Sequence, residues 1–410
     1  MKIDEGFLAQ MREATQILQN EGPMAATAAI QRALHRANAT DKTAAQPDWD
    51  RLRPKAPELR DINQAHARAV DPSAQPQDDM LNRLSRFPGK WAGAMARQAF
   101  EDVEVKEAVT PAGKGRFLSG SCTNHAGTRD YKLYIPSGYT GQALPLVVML
   151  HGCTQNPDDF AAGTNMNAAA EDNNCFVVYP AQARAANGSN CWNWFNTSDQ
   201  RRDHGEPAII ADITRAIIRE YAVDTNRIYV AGLSAGGAMA AVLGASYPDL
   251  YAAIGIHSGL PYGVAHDVPS AFAAMKNGRI KTSARKTGGK VVTPFGHTMP
   301  VIVFHGDRDT TVDPANGDLA LAQCVPLLDA GSGLDTGVKV EQGAVPHGRT
   351  YTRTVLHDVQ GKAIAEKWIV HGAGHAWAGG SSKGSYTDPK GPDATREMLR
   401  FFYTHGRNGG

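Results

Sequence analysis

No apolar run among the 410 residues approaches the roughly 20 needed to cross a bilayer as a helix. The first residues, Met1 to Phe7, also lack the uninterrupted apolar core and small-residue cleavage site of a signal peptide, so a cytoplasmic protein is expected. Charge of one sign is missing too. The 42 Lys and Arg nearly balance the 41 Asp and Glu, leaving a net charge of +1 with no nucleic-acid footprint and no polybasic membrane patch. The basic stretch from Arg279 to Lys290 is diluted by Gly, Ser and Thr and reads as a solvated loop. Cysteine is scarce. Cys122, Cys153, Cys175, Cys191 and Cys324 are too few and too scattered for a disulfide-built scaffold, and none has the paired spacing of a zinc site. An odd count leaves at least one thiol unpaired within the monomer.

The chain divides by composition into three parts. In residues 1–38, Phe7, Met11, Ala14 and Leu18 recur at helical spacing up to Gly22, and after Pro23 a second stripe follows at Ala26, Ile30, Ala33 and Leu34. This pattern predicts an N-terminal helical pair, a packing or self-association element, with granule contact through residues 1–37 as a partner expectation. Residues 39–116 turn to Pro, Gln, Asp, Arg and Ala and read as a mostly irregular linker with some helix near 79–101. Residues 117–410 carry the regular pattern. Strands are predicted at Asp130–Ile135, Leu146–Leu150, Cys175–Tyr179, Ile228–Val230, Ala253–Ile256, Val301–Phe304 and Lys367–Val370. Helices are predicted at Pro157–Glu171, Glu206–Tyr221, Gly237–Tyr247 and Asp393–Thr404. Apolar strands alternating with helices predict an α/β fold, a mostly parallel sheet with helices on both faces, whose strand C-termini form one edge where a site assembles.

The chemistry-bearing residues sit at those strand ends. After Ile228-Tyr229-Val230 comes Gly232-Leu233-Ser234-Ala235-Gly236, a serine on a turn sharp enough to need small neighbours, followed by helix formers. The same pattern recurs at Gly380-Ser381-Ser382-Lys383-Gly384, with no strand before it and no helix after it, so context selects Ser234 and leaves Ser382 in a loop. After Leu150, His151-Gly152-Cys153-Thr154-Gln155 forms a loop whose amide at Cys153, with that of Ala235, suits an oxyanion hole. After Phe304, His305-Gly306-Asp307-Arg308-Asp309 offers two aspartates, either of which can orient a histidine. After Val370, His371-Gly372-Ala373-Gly374-His375-Ala376-Trp377 has two histidines four apart. The glycines between them argue against a helix and against a metal site, and His375, on a glycine-flexible loop late in the chain, fits a general base.

Five motifs in order make the chain similar to a known family. Leu150-His151-Gly152-Cys153-Thr154-Gln155, Cys191-Trp192-Asn193-Trp194-Phe195, Gly232-Leu233-Ser234-Ala235-Gly236-Gly237, His305-Gly306-x-x-Asp309-x-x-Val312 and Gly374-His375-Ala376-Trp377 resemble those of the poly(3-hydroxybutyrate) depolymerase-type esterases. This family is a branch of the α/β-hydrolases related to feruloyl and acetylxylan esterases, and the resemblance runs from about Gly115 to His405. It implies an α/β-hydrolase fold with Ser234 as nucleophile, Asp309 as the acid, His375 as the base and the amides of Cys153 and Ala235 as oxyanion donors. The chain order Ser, Asp, His agrees. No metal or organic cofactor is implied. Trp192, Trp194 and Trp377 are expected to line an apolar acyl pocket, and Cys153 is expected to approach Cys191, a pairing at odds with a cytoplasmic protein.

Secreted members of the family carry a signal peptide and a polymer-binding domain. Neither is legible here, so the expected substrates are short-chain esters, soluble hydroxyacid oligomers or amorphous polyester, and an extracellular location is the alternative to the cytoplasm. Within enzymes the alternative is a feruloyl or acetylxylan-type esterase. A reading of another class, a granule-associated scaffold with a passive hydrolase fold, is opposed by the complete Ser, Asp and His set.

Overall fold

The computed structural model describes residues 115–277, 295–325 and 337–407. The helical pair expected at 1–38, its self-association and nearly all of the 39–116 segment lie outside them. In chain order the elements are β1 (Arg116–Asn124), β2 (Gly127–Ile135), β3 (Leu144–Leu150), α1 (Pro157–Thr164), α2 (Met166–Asn173), β4 (Phe176–Pro180), α3 (Gly205–Glu220), β5 (Val223–Leu233), α4 (Ala235–Ser246) and β6 (Ala253–His257). There follow α5 (Val268–Asn277), β7 (Val301–Gly306), α6 (Ala315–Cys324), β8 (Val338–Ala344), β9 (Thr350–His357), β10 (Ala363–Val370), the short β11 (Trp377–Ala378) and β12 (Thr387–Asp388), and α7 (Ala394–Tyr403).

A sheet of ten strands runs in the order β1-β2-β4-β3-β5-β6-β7-β10-β9-β8. From β4 to β10 in that order the neighbours are parallel, and antiparallel hairpins close both margins. All the parallel strands therefore end on one edge, where β3, β5, β6, β7 and β10 deliver their following loops.

Alternation along each strand separates two cores. Leu146, Val148, Ile228 and Val230 point into one with α3 and α4, while Val147, Met149, Tyr229 and Ala231 point into the other with α1, α2 and α7. Both faces are covered, which explains why β3 and β4 are buried at every position. Tyr229 stacks on Phe402 of α7 at 4.8 Å, and a ring of this size in a full core contributes about 3–5 kcal/mol against truncation to alanine. Helix α4 is buried from Ala235 to Gly244 and lacks a polar face, because it packs against β5 and β6 on one side and α3 on another.

Two predicted features change and one hairpin is new. The single helix expected at 157–171 is two, since Asn165 adopts a left-handed conformation (φ 55°) that ends α1, an Asn-type stop. Strand β5 starts earlier than predicted, at Val223. The hairpin β8–β9 carries no buried stripe that a pattern search could find: β8 is exposed or half-exposed along its whole length. Among the described residues, no helix is long and apolar enough to cross a membrane.

Candidate active site

Ser234 is the single residue between β5 and α4, at φ 57° and ψ −118°. Its amide donates to the His257 carbonyl at 2.9 Å, and its own carbonyl accepts the Ala238 amide at 2.9 Å, so the turn is held from both sides. The neighbouring glycine is obligatory: a Cβ on Gly236 would fall inside the van der Waals envelope of Leu150 O, at the end of β3. Ser234 itself is part-accessible, while its neighbours on either side are buried. Ser382 of the second glycine–serine pattern lies in an exposed turn, as its context predicts.

The loop after β3 comes alongside. A Cβ placed on Gly152 would stand 3.6 Å from Ser234 Cβ. Gly152 N donates to Gln155 Oε1 at 2.9 Å, Thr154 N to Ser189 O at 2.7 Å and Gln155 N to Gly152 O at 3.3 Å. The remaining amide in the run, that of Cys153, has no acceptor among the described residues. Ala235 opens α4, where a first-turn amide has no intrahelical acceptor. Two uncommitted amides thus flank the serine.

Cys153 is bonded to Cys191 in a disulfide. The Cys191 loop is held from below by buried Glu206, which accepts from the Asn193 amide at 2.7 Å, Asn193 Nδ2 at 2.8 Å, Arg129 Nη2 at 3.2 Å and Gln182 Nε2. Gln182 Nε2 also donates to Cys191 O at 2.7 Å. Burial pushes the Glu206 carboxyl up in spite of these donors. His151, at the end of β3, accepts the Gln182 amide on Nε2 at 3.1 Å and so carries its proton on Nδ1, which donates to Gly152 O at 2.8 Å. Burial keeps it neutral, pushed down to about 4.

Asp309 and His375 meet. His375 Nδ1 donates to Asp309 Oδ2 at 2.7 Å, leaving Nε2 as the free base, and Asp309 Oδ1 accepts the amides of Thr311 and Val312 at 2.9 Å each. A second histidine, His305, lies with Nε2 3.0 Å from Val312 O and 3.4 Å from Asp309 Oδ2. Burial alone would raise the Asp309 carboxyl. The donors from His305, His375 and the Val312 amide outweigh it and hold the group well below the usual carboxylate range. Asp307 pairs elsewhere, accepting His371 Nδ1 at 3.0 Å and the Gly372 amide at 2.7 Å. The loops are joined by backbone too: Arg308 N donates to Ala373 O at 3.0 Å, and Gly306 lies so close to Ala373 O that no side chain fits between them.

The tryptophans are a correction. Trp192, Trp194 and Trp377 are 0%, 6% and 1% exposed, so they do not line an open acyl pocket. Trp192 donates its indole N–H to His151 O at 3.1 Å and Trp377 to Thr395 Oγ1 at 3.0 Å, which makes them supports beneath the loops. The exposed aromatic at this edge is instead Tyr386, whose hydroxyl lies 3.0 Å from Thr154 Oγ1 and whose carbonyl accepts the Trp377 amide at 2.7 Å. Thr154 (φ 66°), Ser258 (φ 48°) and Tyr386 (φ 52°) share with Ser234 a left-handed backbone uncommon in such residues.

Sequence reasoning gave Gln155 and His305 only as members of motifs, with no role of their own, and passed over His257. His257 is the last residue of β6 and His305 the last but one of β7, each followed by glycine at once or after one serine, and His151-Gly152 and His371-Gly372 stand just past β3 and β10, so a repeated strand-His-Gly signature was available to read.

The model of the esterase PHB depolymerase family matches residues 129–340, just over half of the chain. The chain belongs to that family. A poly(3-hydroxyalkanoate) depolymerase C of Paucimonas lemoignei is 34% identical over 265 residues, covering 63% of this chain and 60% of the relative. A feruloyl esterase B of Thermothelomyces thermophilus is 30% identical over 193 residues, covering 45% of this chain and 65% of the relative. The chain thus spans about three-fifths of the length of these relatives. Among solved structures, an acetyl xylan esterase from Aspergillus awamori superimposes with a TM-score of 0.50 at 18% identity, over 73% of this chain and 99% of that one, a likeness of the α/β-hydrolase fold.

Proposed function

We propose that the protein is a serine carboxylester hydrolase of the PHB depolymerase type. The observation that carries this reading is the buried Asp309–His375 pair at 2.7 Å, with Nε2 of His375 left free, at the strand edge that also presents Ser234. In this reading Ser234 Oγ attacks the ester carbonyl while His375 Nε2 takes its proton, and the tetrahedral oxyanion rests on the amides of Cys153 and Ala235. Collapse expels the alcohol, which receives the proton from His375. Water then repeats the sequence on the acyl-enzyme and releases the carboxylic acid. Asp309 stays ionised throughout, holding the imidazole tautomer and stabilising the imidazolium.

The substrates proposed are short-chain hydroxyacid esters, their oligomers and amorphous polyester. A feruloyl-type activity is the second reading, favoured by the feruloyl esterase among the relatives. Turnover of a 3-hydroxybutyrate oligomer against methyl ferulate separates the two, and strong preference for the ferulate defeats the polyester reading. The Cys153–Cys191 bond favours an oxidising compartment over the cytoplasm expected from the N-terminal residues. Thiol counting on protein recovered from the native cell checks it.

The activity itself is tested at Ser234. Ser234→Ala is expected to lower kcat by about 10⁴-fold or more and to abolish labelling by a fluorophosphonate, with the melting temperature little changed. Activity surviving in that variant overturns the assignment.

A further inference from the structure

His257 takes no part in the reaction written above, yet it touches both halves of it. It closes β6, is 1% exposed, and lies with its ring between Phe304 (5.7 Å, 12°) and Trp377 (5.0 Å, 24°). Its carbonyl accepts the Ser234 amide at 2.9 Å. Its Nε2 faces the other way and accepts the Ala378 amide at 2.9 Å, three residues past His375. One residue thereby holds the serine turn through its backbone and the histidine loop through its side chain.

The tautomer follows from the bonding. An Nε2 that accepts from an amide carries no proton, so the imidazole proton is on Nδ1, directed at Ser258 Oγ at 3.2 Å. Burial, reinforced by the nearby His305 and His375, holds His257 well below its ordinary value and keeps it neutral. Burial without a partner is costly for the Ala378 amide, which in the chain's short β11 bonds to no other acceptor among the described residues.

We propose that His257 is a positioning residue: its imidazole Nε2, by accepting the Ala378 amide, fixes the loop carrying His375 at the distance from the Ser234 turn that proton transfer needs. The proposal rests on the Ser234 and His375 roles given under Proposed function. Its reach is through geometry alone, and a displacement of about 1 Å between reacting groups costs on the order of 100-fold in rate. Ester binding is left to other residues.

Two substitutions separate this role from filling space. Leucine keeps much of the volume and offers no acceptor, whereas the side-chain carbonyl of glutamine reaches about as far from Cα as Nε2 does. His257→Leu is expected to lower kcat about 10- to 100-fold with KM within about twofold, and His257→Gln to recover it to within about fivefold of the parent. Equal losses in the two variants, or a loss that falls on KM, overturn the proposal. A measurement on the unaltered protein stands beside them: ¹⁵N-histidine NMR at pH 7 is expected to show His257 as the neutral Nδ1–H form with a hydrogen-bonded Nε2. An Nε2–H form or an imidazolium overturns the proposal without any variant. Fluorophosphonate labelling of Ser234 in the same sample keeps the two ideas apart. Failure to label defeats the reading of the site, whereas normal labelling with equal losses in the leucine and glutamine variants defeats only the role of His257.

Discussion

Asp307–His371 and Asp309–His375 are two aspartate–histidine pairs built from the same two loops, the one after β7 and the one after β10. Both are hydrogen-bonded through Nδ1, at 3.0 and 2.7 Å. Exposure to solvent distinguishes them. The side chains of the first pair are 38% and 40% exposed, those of the second 0% and 13%. In the exposed pair solvent competes for every bond, and such a contact is worth about 0–1 kcal/mol. In the buried pair the carboxylate is fully committed to protein donors and the imidazole has a single free nitrogen. A histidine paired with an aspartate is thus common chemistry, and exclusion of water from the carboxylate is what makes it a candidate for catalysis.

The most severe way to break the comparison is at the buried carboxylate. Asp309→Asn is expected to cost about 10³- to 10⁴-fold in kcat, because an amide that must satisfy the Thr311 and Val312 amides with its oxygen turns its NH₂ toward His375 and favours the wrong tautomer. Asp307→Asn is expected to change kcat less than about threefold. Steady-state kinetics on a p-nitrophenyl ester measures both, and equal small losses would remove the distinction between the pairs.

A smaller effect sharpens the same contrast of dry and wet imidazoles. His151 and His257 are buried and neutral, so the unfolded chain binds protons near pH 6.5 that the folded chain refuses. Stability must then rise with pH through this window, and falls on acidification from pH 7 to 5 by about 2 kcal/mol for a fully shifted histidine. Glu206, pushed up by burial, acts in the opposite sense, gaining stability as pH falls through its folded value. Thermal unfolding at pH 7, 6 and 5 is expected to show a falling midpoint, and a flat profile would mean that these histidines are solvated. Least of all is expected from Ser382→Ala, in the exposed turn, which should leave kcat within about twofold.

Much of this was legible because apolar strands ended by glycine-bearing turns and alternating with helices mark the parallel sheet and its edge. The α/β fold and the placing of Ser234 and His375 on loops at that edge follow from that. The choice between Asp307 and Asp309 was not legible from the residues alone. Both lie in the turn that closes when Asp309 N meets Gly306 O, and a two-residue shift decides which carboxylate faces inward. The tryptophans misled for a related reason: a sequence shows that an indole sits on a loop, not whether that loop turns it into the core. The hairpin β8–β9 was invisible because half-exposed strands carry no apolar period.

The left-handed residues at this edge have a thermodynamic meaning. Thr154, Ser234, Ser258 and Tyr386 each hold a backbone conformation that costs on the order of 1–3 kcal/mol in residues of their kind. Taken together that is comparable with the roughly 5–15 kcal/mol by which domains outlast unfolding. Glycine at any of them would relax the chain, so a route to a hardier protein runs through the residues that shape this edge. Selection for durability and selection for turnover pull in opposite directions at this edge of the sheet.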